Sequence, residues 1–130
     1  MAILLYGGDR FDCILSNHAA DQVGMSSEDD DFPETLFGYD TTELLQRIAS
    51  YCDNPGDLVF EIEYNCEGYP WFAIKTQQPS SFRAYFRHFD ANERQMVITH
   101  FAKKEQQKLK DSDKQQMYES YDEYARNGGY

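Results

Sequence analysis

An α+β fold is the class this sequence predicts: one helix, then a four-stranded antiparallel sheet, then a closing helix. Three observations lead there. Apolar residues recur at helical spacing after Asp40, four strand-like segments divided by short turns follow, and a second helical spacing occupies the end of the chain. With 130 residues the chain has the length of one packed core, and 41% hydrophobic and 15% aromatic content set it apart from a disordered acidic chain.

The elements are justified in order. "AILLY", Ala2 to Tyr6, reads as a short strand closed by Gly7-Gly8-Asp9, an addition to the main plan whose place in the fold is unassigned. "FDCILSNHAA" fits a strand and a helix equally, and "SSEDDDFPE", Ser26 to Glu34, reads as a solvated acidic loop. From Asp40 the signals sharpen. Asp40 with Glu43 three positions on makes a capping-box arrangement, Leu44, Leu45, Ile48 and Tyr51/Cys52 share a helical face, and Asn54-Pro55-Gly56 ends it. Strand-like segments at 58–64, 69–76, 81–89 and 94–102 follow, and their short separators favour an antiparallel meander. Asp111 or Ser112 can cap a final helix with Met117, Tyr118, Tyr121 and Tyr124 on one side, stopped by Asn127-Gly128-Gly129.

Function classes narrow quickly. Ala2 to Tyr6 is far too short to span a membrane and lacks a signal-peptide pattern, so the reading is a soluble cytoplasmic protein with no membrane partner. Cys13, Cys52 and Cys66 are odd in number without CxxC spacing, which suggests buried thiols rather than disulfides or zinc. No phosphate-binding glycine loop, nucleophile elbow or HExxH occurs, so no cofactor and no metal are expected.

Charge is the informative quantity. The net is -11, yet residues 1–70 alone carry -13, residues 71–110 carry +5 and the last twenty carry -3. A basic segment inside an acidic chain suits either a phosphate-binding surface or strands whose cations pair with the acidic half. In the third strand segment Phe82, Ala84, Phe86 and His88 alternate with Arg83, Tyr85, Arg87 and Phe89. Two arginines flanking a tyrosine on one face can grip a phosphate or stack a base. His88 and His100 fall on neighbouring strands and are the natural acid or base at neutral pH, although a histidine beside Phe86 or Phe101 is more often simply packed.

The run "PWFAIKT...SFRAYFRHF...QMVITHFAKKEQQK" followed by a helix resembles the RelE/ParE superfamily of bacterial toxins, in particular its HigB-like, often phage-borne branch. His100, Phe101, Lys103, Lys104 and Gln106 fall in register with that branch's His-Phe-Lys-Lys-Gln spelling. The likeness covers roughly residues 40–126, so the expectation is a single RelE/HigB-like domain over residues 1–130, divergent and acidic through residues 1–39.

What the resemblance implies is the toxin component of a type II toxin-antitoxin system, a ribosome-dependent mRNA endonuclease working without metal by attack of the ribose 2'-hydroxyl on its own 3'-phosphate. Arg83, Arg87, His100 and Tyr85 would be catalytic: the arginines stabilise the phosphate, and His100 and Tyr85 transfer protons or stack a base. Lys75, Lys103, Lys104 and Lys108 would bind the RNA. The implied partners are the ribosome, mRNA and a cognate antitoxin. Two alternatives are a non-catalytic protein-binding module, with "SSEDDDFPE" covering the basic face or recruiting a partner, and a ParE-like gyrase inhibitor.

Overall fold

The computed structural model describes residues 2–76, 82–103 and 109–130. Strands β1 (Ile3–Gly7) and β2 (Asp12–Leu15) lead to helix α1 (Asn17–Val23). A small hairpin of β3 (Thr35–Leu36) and β4 (Tyr39–Asp40) precedes helix α2 (Thr42–Asp53). Strands β5 (Ile62–Glu63), β6 (Phe72–Lys75), β7 (Phe82–Phe89) and β8 (Asn92–Lys103) follow, and helix α3 (Asp111–Arg126) comes last.

The class is α+β, but the sheet differs from the expected four antiparallel strands. It is six-stranded and mixed, in the order β1-β2-β8-β7-β6-β5, with β2 running parallel to β8 and every other pair antiparallel. Of the two extra strands, β1 is the short strand read at Ala2 to Tyr6, and the ambiguous stretch supplies β2 because its period changes at Ser16. Before Ser16 the chain is strand; at Ser16 the side-chain oxygen accepts the Ala19 N–H and starts α1, which Gly24 ends in the left-handed conformation. The expected strand over 58–64 shrinks to two residues: a 3-10 turn at Pro55–Asp57 precedes it, and Glu61 folds back to accept the Val59 N–H. Val59 and Phe60 stay exposed as a result.

Two apolar layers flank the sheet. Leu44, Ile48, Tyr51 and Cys52 of α2, with Ala19, Ala20 and Val23 of α1, bury against Phe82, Ala84 and Phe86 of β7. On the other face Met117, Tyr121 and Tyr124 of α3 pack with Trp71, Ala73, Tyr85 and Phe89. The β1–β2 turn is fastened to the end of α2, where Arg10 and Phe11 donate backbone N–H groups to the Cys52 carbonyl. Gly8 permits that approach, since a Cβ there would lie 2.5 Å from Cys52 Cβ. No helix among the described residues is long and apolar enough to cross a membrane.

Candidate functional site beneath the C-terminal helix

Strand alternation sends Arg83, Tyr85 and Arg87 to the α3 face, and a β-bulge sends His100 to join them. Tyr85 pairs with His100 but Phe86 pairs with Ile98, so Thr99 is the extra residue on β8. Met96 and Ile98 before it lie in the α2 layer; after it the alternation is inverted, with Phe101 in that layer and Ala102 in the other. The bulge's polar groups are satisfied. Ser16 Oγ donates to the Thr99 carbonyl at 2.9 Å, and the Gln22 amide both accepts the Phe101 N–H and donates to its carbonyl, taking over where β2 stops.

The result is a stacked pair. The Tyr85 and His100 rings lie 4.9 Å apart at 22°, with Tyr85 1% and His100 4% exposed. Both imidazole nitrogens are engaged: Nε2 meets Asp113 Oδ1 of α3 at 2.9 Å, and Nδ1 meets Thr99 Oγ1 at 3.1 Å. Burial pushes the Tyr85 phenol pKa up, with the Arg83 guanidinium pulling part of the way back. It is therefore a neutral phenol at physiological pH, a donor rather than a base.

Each arginine has a carboxylate of its own. Arg83 Nη1 donates to Glu63 of β5 at 3.2 Å, and Arg87 Nη2 donates to Asp90 at 2.9 Å. The Arg87 guanidinium also lies over the rings of Tyr121 at 4.2 Å and Trp71 at 5.4 Å. Lys75 stands opposite Arg83 in the β6–β7 register and is partly buried, while its carbonyl accepts from Arg47. Lys103 departs from the group: it is exposed, and its ammonium sits 5.6 Å from the Tyr39 ring on the β3–β4 hairpin. Lys104 and Lys108 lie outside the described residues.

Among the described residues, four buried side-chain polar atoms have no hydrogen-bond partner, and three of them belong to this face: Arg83 Nε, Tyr85 Oη and Trp71 Nε1. All three can donate. Buried donors left without a partner cost about 1–3 kcal/mol each, so the face has the polarity to hold an anion.

His88 is elsewhere. It points into the α2 layer among Phe11, Tyr51 and Phe72, with Nε2 2.7 Å from the Tyr51 hydroxyl and Nδ1 2.8 Å from the Glu93 carbonyl. Burial lowers its pKa. The acidic loop also lies away from the arginines: Phe32 packs edge-on to Phe101 in the α2 layer. What covers the arginine face is α3. Sequence reasoning missed Glu63, Thr99 and Asp113, because each acquires its role only through a pairing or a bulge.

Fold and site thus define an α+β protein with a mixed sheet and a donor-rich, helix-covered face. No protein-family model matches the chain, and no match to a curated protein or a solved structure was found.

Proposed function

We propose that this protein is a ribosome-dependent mRNA endonuclease resembling the HigB-like RelE/ParE toxins, acting in the cytoplasm and held by a cognate antitoxin, with a site that α3 closes in the form described here. The observation that carries this reading is the pair of unpartnered buried donors, Arg83 Nε and Tyr85 Oη, beside an imidazole matched to a carboxylate. Metal-free RNA cleavage needs those parts: donors for the phosphorane oxygens as the 2'-hydroxyl attacks, a base for its proton and an acid for the departing 5'-oxygen. Arg83 and Tyr85 are the donors, Lys75 adds charge beside Arg83, and His100 moves the proton.

Substrate access requires movement of α3, and energetics decides how much. Releasing Met117, Tyr121 and Tyr124 together would cost roughly 5–9 kcal/mol at about 1.5–3 kcal/mol per large side chain, comparable to the whole stability of a domain. The first turn is different. Asp111 to Gln116 contains no buried residue and lies between two buried anchors, Leu109 and Met117. Opening that turn lifts Asp113 from His100 while both anchors stay seated.

A second reading, a non-catalytic binding module, is favoured by the ion pairs and by a separate surface. Edge strand β5 is bordered by exposed Val59, Phe60 and Tyr64 and is preceded by the carboxylate of Glu61, which suits an added strand from a basic partner protein.

The deciding experiment maps cleavage of a defined mRNA in a cell-free translation mix, with and without ribosomes. Cuts should require ribosomes and fall at least about a hundredfold in Arg83→Ala. Intact mRNA in the presence of the folded protein overturns the nuclease reading and leaves the binding module.

A further inference from the structure

The fourth unpartnered buried atom lies apart from the arginine face and has the opposite polarity. Asn17 Oδ1, at the start of α1, has no hydrogen-bond partner among the described residues. Asn17 lines a cavity of about 440 Å³ with Ala2, Glu123, Tyr124, Asn127 and Tyr130, between α1 and the last turn of α3. That volume falls within the range of small-molecule sites.

Asn127 and Tyr130, both exposed, can offer either polarity, while the side-chain bonds made by the other polar groups run in one direction. Asn17 Nδ2 donates to Glu123 Oε1 at 2.8 Å, which leaves the amide oxygen over. Tyr124 donates its hydroxyl proton to Gln95 Oε1 at 2.6 Å, so its oxygen retains only acceptor capacity. The Glu123 carboxylate accepts and cannot donate. Among the described residues no Lys, Arg or His lines the cavity, and the Tyr124 and Tyr130 rings with the Ala2 methyl supply apolar and π surface.

We infer that this cavity binds a small organic cation, an ammonium or guanidinium on a short alkyl stem. Its N–H groups would meet the Glu123 carboxylate, and its charge and stem would lie against the tyrosines. An anion would meet the Glu123 carboxylate. A purely apolar ligand would leave the Glu123 carboxylate unmatched. The protein's net charge of -11 adds a long-range attraction of the same sign. This inference does not depend on the nuclease reading, and its test contains no RNA.

The probe is agmatine, which carries both cationic groups, titrated into the full chain by calorimetry at physiological salt, with glutarate as the anionic control. Agmatine should bind at one site and glutarate should not. Glu123→Gln keeps an acceptor for Asn17 but removes the charge, and should weaken binding at least about tenfold. Tyr130→Ala, at a half-exposed wall that the fold does not depend on, should weaken it severalfold. Glu28→Gln, an exposed acid of the acidic loop, should leave affinity unchanged. No agmatine binding overturns the inference. So does equal loss in Glu28→Gln and Glu123→Gln, which would assign the binding to the general acidic surface, and so does unchanged affinity in both Glu123→Gln and Tyr130→Ala.

Discussion

Helix α3 places a carboxylate at each end, and the two carboxylates do different work. Near the N-terminal end Asp113 holds His100 above a face whose leftover polar atoms, on Arg83 and Tyr85, are donors. Near the C-terminal end Glu123 holds the Asn17 amide by its donor side, so the leftover atom there is an acceptor. The same side-chain chemistry therefore leaves atoms of opposite sense, donors at one end and an acceptor at the other. Between the ends Met117, Tyr121 and Tyr124 are buried and supply the attachment.

The largest effect tests that division of labour. Tyr121→Ala removes a side chain 6% exposed whose ring supports the Arg87 guanidinium and whose hydroxyl accepts the Asp90 N–H, and should cost about 3–5 kcal/mol in urea unfolding. A loss below about 1 kcal/mol would mean that the polar ends, not the middle, hold the helix.

Next in size is a double dissociation between the ends. Arg83→Ala should cut mRNA cleavage about a hundredfold and leave agmatine affinity alone, while Glu123→Gln should do the reverse. Any variant that moves both readouts together would show one coupled site rather than two.

Comparing the two histidines extends the contrast to the opposite face of the sheet. His100 has a carboxylate partner; His88 has a tyrosine hydroxyl and a carbonyl, and burial lowers its pKa from 6.5. The unfolded chain then takes up a proton near pH 6.5 while native His88 stays neutral. Stability should fall as pH drops from about 7 to the lowered native pKa and level off below it. His88→Gln should flatten that slope without abolishing it, because His18 is also lowered, by burial and then by the neighbouring His100. A wild-type slope retained in full by His88→Gln would remove His88 as the source.

These contrasts separate what the sequence disclosed from what only the folded chain reveals. The face shared by Leu44, Ile48, Tyr51 and Cys52, and the division of β7 into Phe82/Ala84/Phe86/His88 and Arg83/Tyr85/Arg87/Phe89, were legible because period and burial agree locally. His100 was not placed by pattern: strict alternation with Met96 and Ile98 would put it in the α2 layer, and only the bulge at Thr99 brings it to Tyr85. The parallel pairing of β2 with β8 joins residues about eighty positions apart, and no local pattern encodes such a partner. The neutralisation of the basic segment is not legible in the sequence for the same reason. Glu63 reaches Arg83 only through the β5–β6–β7 ladder, and Asp113 reaches His100 only once α3 has docked. The Asn17–Glu123 contact, 106 residues apart in sequence, left no trace there at all.

The smallest effect is the most specific, because it concerns how the N-terminal end opens. Lys110 has the extended backbone of an N-cap, at φ -73° and ψ 151°, but its side chain makes no capping hydrogen bond, so α3 begins without that support. Lys110→Ser supplies a side-chain oxygen for the N–H groups of the first turn, where Asp113 donates only to the Lys110 carbonyl at 3.1 Å, and should stabilise the turn by about 0.5–1 kcal/mol relative to Lys110→Ala, the control for whatever else the lysine does. If the turn must open to uncover His100, 1 kcal/mol lowers the open population about fivefold, and cleavage by Lys110→Ser should fall by about that factor against Lys110→Ala. Agmatine affinity, read at the far end of the helix, should be the same in both. Equal cleavage by the two variants, with the stability difference present, would show that RNA reaches Arg83 and Tyr85 by a route that leaves the first turn of α3 closed.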